Sequence, residues 1–502
     1  MSFSAIDYCD IQGLARFGFG HLKDTCFLLL KIENPAAARR WLKAAPVASA
    51  EKLASPPATA LQVAFTSQGL QTLGVPPEVI SGFSDEFISG MSGEESRSRR
   101  LGDVGANSPS GWEWGGPGNM PHVLIMLYAE RGRLEAWKER LLEELAGAGC
   151  SLLRCLPTSD LRGHEHFGFR DGISQPRVDW DGERRADGGD QLEYANLVAV
   201  GEFLLGYPNE YGKYTDRPLV EQVDGPAAEL AAATDRPGLK DVGRNGAYLI
   251  FRHLEQDVRG FWQFLDGQAK AEPEVRRKLA EAMVGRTMDG VPLVPQTSHP
   301  IRGVGPDPDE VRLNQFTYEA DGGGTRCPIG AHIRRSNPRN ADLPPGARGF
   351  FSRLKRTLGF GRRGVRDDLV ASTRFHRLLR RGREYGRGLS PEESIRAGGP
   401  DGEERGLYFI CLSASIARQF EFVQNAWVAG SKFDGLTEES DPLLGNRLPG
   451  PGCPFTDGFS LAREGGVRQR LKGLPQFVTV RGGAYFFLPG LRALRYLASF
   501  GD

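Results

Sequence analysis

Short apolar runs alternate with amphipathic stretches of helical period along this chain, and the pattern occurs once in each half. Thr25 to Ile32 (TCFLLLKI) predicts a buried strand. Asn34 then offers an N-cap side chain, and Pro35 supplies the preset φ of a first helical residue. Ala38, Trp41, Leu42 and Ala45 follow at i, i+3, i+4 and i+7, one stripe of a helix. Ala60 to Phe65 predicts a second strand and Val123 to Tyr128 a third, trailed by a helix carrying Leu134, Trp137, Leu141 and Leu145. In the second half, Tyr248 to Phe251 predicts a strand, and Val258, Phe261, Trp262 and Leu265 stripe the helix after it. Leu407 to Leu412 predicts another strand, and Ile416, Phe420, Val423 and Trp427 are spaced for a helix. Phe477 to Leu488 predicts a closing strand pair split at Gly482-Gly483. Two β–α–β halves of this kind predict an α+β fold of duplicated ferredoxin-like domains with antiparallel sheets. The acidic, Ala-rich stretch Glu221 to Asp235 is the expected linker, with domains at 1–215 and 216–502.

Composition narrows the classes of partner. With 40% hydrophobic and 9% aromatic residues the chain can build a core, which excludes global disorder. Lys+Arg and Asp+Glu stand at 63 each, so no overall field favours nucleic acid or an anionic membrane. No apolar run approaches the roughly 18 residues of a membrane-crossing helix. Neither nucleic acid nor membrane is an expected partner, and the oligomeric state is left open. Charge balance breaks from Arg348 to Arg383, where twelve basic residues face only Asp367 and Asp368. That stretch fits a solvated basic loop, or a contact with a cofactor carboxylate or an anionic partner. The first residues carry Asp7 and Asp10 and no apolar centre, which predicts neither a secretory signal nor a twin-arginine leader. Seven scattered cysteines without a CxxC pair argue against a zinc ribbon or a disulfide framework, so a reducing cytoplasm is expected.

Three motifs carry candidate chemistry. They are Gly168-Phe169-Arg170-Asp171-Gly172, followed by Ile173-Ser174-Gln175-Pro176; the segment CPIGAHIRRSNPR from Cys327 to Arg339, with His332 at its centre; and LLRRGREYG from Leu378 to Gly386. Singly, the first fits a turn, the second a satisfied structural histidine and the third a solvated basic face. Together and in this order they resemble the dye-decolorizing (DyP-type) haem peroxidases. Smaller stretches share the likeness: Ala64-Phe65-Thr66 with Gly69-Leu70 and Leu73-Gly74, Gly201-Glu202-Phe203-Leu204-Leu205-Gly206-Tyr207, and Gly243-Arg244-Asn245-Gly246. The resemblance spans roughly residues 10 to 490, and the family's duplicated ferredoxin-like fold agrees with the repeat in the hydrophobic pattern.

The resemblance implies haem b (iron protoporphyrin IX) bound in the C-terminal half. It further implies reduction of H2O2 with oxidation of a bulky organic electron donor such as a dye or phenolic, through Asp/Arg-assisted O–O heterolysis to a ferryl intermediate. His332 is then the iron ligand, its second ring nitrogen donating to a carboxylate late in the chain. Asp441 is the first choice for that carboxylate, with Asp434 and Glu421 as rivals. Asp171 corresponds to the acid–base group and Arg380 to its charged partner, with Arg381 adjacent. Leu407 and Phe409, two apart on a strand, correspond to the apolar lining, though plain core packing also accounts for them. The chain departs from the family pattern at 343–367, a Gly- and Arg-rich insertion that, with the chain's length, implies one of the larger subgroups. A donor too large to enter needs an aromatic relay from the surface, for which Tyr385, Tyr408 and Trp427 are candidates and core packing the alternative. A rival enzyme class, a metal-dependent hydrolase built on His164 and His166 with Glu165 and Asp171, lacks a second ligand cluster. A haem carrier would keep His332 and need neither Asp171 nor Arg380.

Overall fold

The computed structural model describes residues 6–183, 194–221, 225–341, 372–396, 402–448 and 456–500. The insertion 343–367 lies outside the described residues.

Two units of the same topology are fused through their sheets. The first runs β1 (Asp24–Ile32), α1 (Pro35–Ala44), β2 (Thr59–Phe65), β3 (Val123–Ala129), α2 (Leu134–Gly147) and β4 (Cys150–Pro157). Its strands lie in the order β4-β1-β3-β2, all antiparallel. The second runs β5 (Ala247–Gln256), α3 (Val258–Gln268), α4 (His332–Ser336), β6 (Leu379–Arg380), β7 (Arg383–Tyr385), β8 (Gly406–Ser413) and β9 (Val478–Leu488). Here the order is β9-β5-β8, with β6 and β7 both on the far side of β8. The order is the ferredoxin-like one in both units, as the periodicity predicts. The units meet where β9 pairs with β2 at Phe487 and Phe65, giving one nine-stranded sheet.

Both faces of that sheet are covered, which explains the unbroken apolar runs. Cys26, Leu28, Leu30 and Ile32 enter one core layer, and Phe27 and Leu29 enter the other. At α1 the Asn34 side chain accepts the Ala37 N–H at 3.1 Å, the cap the sequence predicts.

Four elements differ from the sequence reading. The strand predicted at Tyr248 to Phe251 continues to Gln256, because Arg252 is neutralised inside the protein. Its guanidinium makes a two-pronged pair with the buried Asp103, at 2.7 and 2.5 Å. The strand pair predicted at Phe477 to Leu488 is one strand, with a bulge between Val480 and Gly482 where Trp114 packs against the glycine. Ala417–Glu421 and Val423–Val428 are π-helical: Glu421 N–H donates to Ile416 and Ala429 N–H to Gln424, five residues back in each case. The predicted linker is not free chain in its described part. Leu219–Glu221 pairs with Leu239–Asp241, and Arg217 is tied to both Asp235 and Asp241.

The Arg252–Asp103 pair supplies a stability prediction. Asp103→Ala leaves a guanidinium buried without a counter-charge, and is expected to cost about 3–5 kcal/mol. Denaturant unfolding measures this, and Asp103→Leu combined with Arg252→Met is expected to recover most of the loss.

Candidate active site

A cavity of about 280 Å³ lies against the sheet of the second unit and collects the motif residues. Leu254 and Gln256 of β5, Leu407 and Phe409 of β8, and Val478 and Val480 of β9 form one wall. Phe420, Val423 and Val428 of the π-helical segment, with Leu443 and Leu444, form apolar walls of the same cavity. His332, Asp171 and Arg380 all open into it.

His332 begins α4, and its Nδ1 lies 2.9 Å from Asp441 Oδ2. Asp441 is fully buried and aimed by its own turn: its Oδ1 accepts the N–H groups of Leu443 and Leu444, both at 2.9 Å. Burial alone would push the imidazole down, but the charge and hydrogen bond of Asp441 outweigh it and hold His332 above its ordinary value. Burial likewise works against the Asp441 carboxylate, yet His332 and the turn N–H of Leu444 keep it below the usual range. An ionised Asp441 fixes the Nδ1–H tautomer, so His332 Nε2 is left without a protein partner among the described residues. Of the rival carboxylates, Glu421 is taken by Tyr485 and Arg97, both at 2.9 Å. No bond from Asp434 to His332 occurs.

The arginines around His332 are buried struts. Arg335 donates to the carbonyls of Trp427, Gly430 and Glu439 at 2.7 to 2.9 Å, and Arg334 to those of Asp321 and Cys327 at 3.0 Å. Arg339 does the same for Asn314 and Phe316, its guanidinium 3.8 Å above the Phe316 ring. All three are buried.

Asp171 reaches the cavity from a tight loop. Glu165 shapes that loop by accepting the N–H groups of Phe167 (2.8 Å) and Phe169 (3.0 Å). Gly168 and Gly172 take φ of +95° and +78°, conformations glycine adopts without strain. Arg380 sits on β6, and its Nη1 donates to Asp171 Oδ1 at 2.9 Å. Gln175 ties the two segments together through both backbone groups of Arg380, at 3.1 Å each. The side chains of Asp171 and Arg380 are each 30% exposed, open to the cavity. Burial raises the Asp171 carboxyl, but Arg380, the Gly172 N–H and the His332 charge together hold it below the usual carboxylate range. Arg381 points away and donates to the carbonyls of Leu14 (2.7 Å) and Ala15 (2.9 Å).

The aromatic candidates differ from expectation. Tyr385, Tyr408 and Trp427 are 6%, 3% and 7% exposed, so none reaches the surface. Tyr385 and Tyr408 stack at 4.4 Å in the core layer opposite Leu407 and Phe409, as strand alternation requires. Trp427 packs against Phe422 and His376. Gln175 and the three strut arginines were not singled out by sequence; all lie inside the motifs, and membership of those motifs was the one available signal, while Glu165 entered only as part of the metal-hydrolase reading and shapes the Asp171 loop instead. His166 is bonded to the Tyr385 carbonyl at 2.7 Å, and burial pushes it down to about 4. Among the described residues no group of three His, Cys, Asp or Glu side chains could hold a metal ion.

A haem group fits these residues: a free imidazole nitrogen backed by a carboxylate, apolar walls, and a separate carboxylate–guanidinium pair opening into the same space.

No family model matches the chain. A dye-decolorizing peroxidase of Mycetinis scorodonius is 27% identical over 99% of this chain and 89% of its own length. The multifunctional dye peroxidase of an Amycolatopsis strain is 28% identical over 87% of this chain and 82% of its own. The crystal structure of a fungal DyP-type peroxidase from Auricularia auricula-judae superposes with a TM-score of 0.71 at 26% identity, covering 99% of this chain and all of that one. With the duplicated sheet and the motif residues gathered in one cavity, these likenesses place the chain in the dye-decolorizing peroxidase family, as a peroxidase.

Proposed function

We propose that this protein binds haem b through His332, reduces H2O2 there, and oxidises bulky organic donors such as dyes or phenolics. The observation that carries the reading is the 2.9 Å pair of Asp171 and Arg380 in the cavity that holds the His332–Asp441 couple. Haem, when bound, supplies the redox centre that accepts two oxidising equivalents from peroxide. Asp441 holds the proton on His332 Nδ1 and turns Nε2 into the cavity as a strong donor. Asp171, ionised, takes a proton from one peroxide oxygen and returns it to the other, so that water rather than hydroxide leaves. Arg380 keeps Asp171 charged and stabilises negative charge as the O–O bond lengthens. Leu407, Phe409, Phe420 and Val423 keep water from competing for these groups. A division near residue 215 would give one domain carrying Asp171 and a second carrying His332 and Arg380.

The visible spectrum and turnover together test this. A histidine-ligated Soret band with H2O2-dependent dye oxidation is expected; the band without turnover would indicate a haem carrier and overturn the reading. We place the protein in the cytoplasm, a reading supported by the free thiols of all six described cysteines. Among the described residues no helix is long and apolar enough to cross a membrane.

Activity is expected to favour acidic pH. The Asp171 carboxyl is held below its ordinary value, so its base form persists through mildly acid solution and is lost only as pH falls through that lowered value. Reduction of H2O2 to two waters takes up two protons for the two electrons drawn from the donor, so the drive to oxidise a high-potential donor falls as pH rises. Initial rates across pH check this, and a maximum well above neutrality would contradict the role given to Asp171.

A further inference from the structure

Two of the three cysteines in the first unit touch each other, and the haem chemistry does not use them. Cys26 lies on β1 and Cys155 on β4, which among the described residues pairs with β1 alone. The register sets Leu28 opposite Cys155 and Cys26 opposite Pro157, so the two cysteines are diagonal neighbours on one face of the sheet. Their Sγ atoms are 3.3 Å apart, against the roughly 2.05 Å of a disulfide, so the two sulfurs already touch. Cys26 is buried, and Cys155 is half-buried. The hydrogen bond from the Cys26 thiol draws Cys155 down to about 7 against the effect of burial, and the Lys138 charge on α2 adds to it. The same bond, with burial, keeps Cys26 protonated.

We propose that Cys155 and Cys26 are a peroxide-reactive dithiol, oxidised by H2O2 to an intramolecular disulfide that pins β4 to β1. The Cys155 thiolate sulfur attacks one peroxide oxygen; the O–O bond breaks, hydroxide leaves and takes a proton to become water, and Cys155 becomes a sulfenic acid. Cys26 sulfur then attacks Cys155 sulfur; the S–OH bond breaks and a second water leaves with the Cys26 proton. Two thiols are oxidised and one peroxide is reduced to two waters. A small thiol or dithiol reductant returns the pair to its starting state. The site shares only its oxidant with the haem reading and uses none of His332, Asp171 or Arg380.

The test is peptide mapping of the reduced holoenzyme after brief exposure to a few equivalents of H2O2, with free thiols blocked. A peptide cross-linked through Cys26 and Cys155, reversed by dithiothreitol, is expected. Cys26→Ser should instead leave a sulfenic acid on Cys155 that dimedone traps, while Cys155→Ser leaves Cys26 unmodified; both variants should keep dye turnover. The cross-link should also form in His332→Ala, where oxidants generated at haem are removed, and its loss there would overturn direct reaction with peroxide. Recovery of both residues as free thiols in the parent protein, or oxidation of Cys155 without the cross-link, would overturn the proposal.

Discussion

His332→Ala is expected to remove stable haem binding and, with it, dye turnover. Of the eight histidines, two open into the cavity, His332 and His376. His376 has no carboxylate behind it: its Nδ1 meets the Arg418 carbonyl, its ring lies flat on Phe422 at 3.7 Å, and burial pushes it down to about 4. His376→Ala is therefore the matched control, and should retain a histidine-ligated spectrum. Asp441→Asn should still bind the group, with a more positive reduction potential, because the imidazole loses the negative charge that makes it a strong donor. A normal histidine-ligated spectrum in His332→Ala would refute the assignment.

Arg380→Leu is expected to slow the reaction with H2O2 at least as much as Asp171→Asn does. Loss of one charge-stabilising donor typically costs about 10²–10³-fold, and loss of an acid–base group about 10²–10⁴-fold. The geometry adds a reason for the order. Arg380 is the leading influence that keeps Asp171 ionised against its burial, so removing the guanidinium also raises the carboxyl and shrinks the fraction able to act as base. Asp171→Asn leaves the guanidinium in place. Stopped-flow mixing with H2O2 separates the two, and Arg380→Leu reacting at the parental rate would refute the role given to it.

The repeat was legible because both core layers impose apolar residues on the same short strands, and because a cap such as Asn34-Pro35 is a purely local signal. What local signals miss is tertiary compensation. Arg252, His253, Glu255 and Gln256 look wrong for a buried strand until Asp103, far off in sequence, is found beside Arg252. Arg334, Arg335 and Arg339 look solvated until the carbonyls that receive them are known. The edge strand Cys150–Pro157 was not predicted, since its half-exposed positions carry no clear alternation. At the site, His332, Asp171 and Arg380 were reachable only through the ordered motifs. The choice among Asp441, Asp434 and Glu421 depends on which carboxylate the chain brings to His332, which spacing does not encode. Arg380 and Arg381 are neighbours in sequence, and strand alternation sends one into the cavity and the other to Leu14 and Ala15.

Arg335 binds the carbonyls of Trp427, Gly430 and Glu439, and the chain that runs on from Glu439 presents Asp441 to His332 two residues later. One guanidinium therefore welds the helix carrying the imidazole to the segment carrying its carboxylate. The spacing between them is set by bonds within the polypeptide itself. Side chains tied in this way lose less freedom when a ligand takes hold of them, which lowers the cost of binding. Apoprotein prepared by mild extraction should accordingly accept protoporphyrins carrying other metals at this socket without relearning its shape.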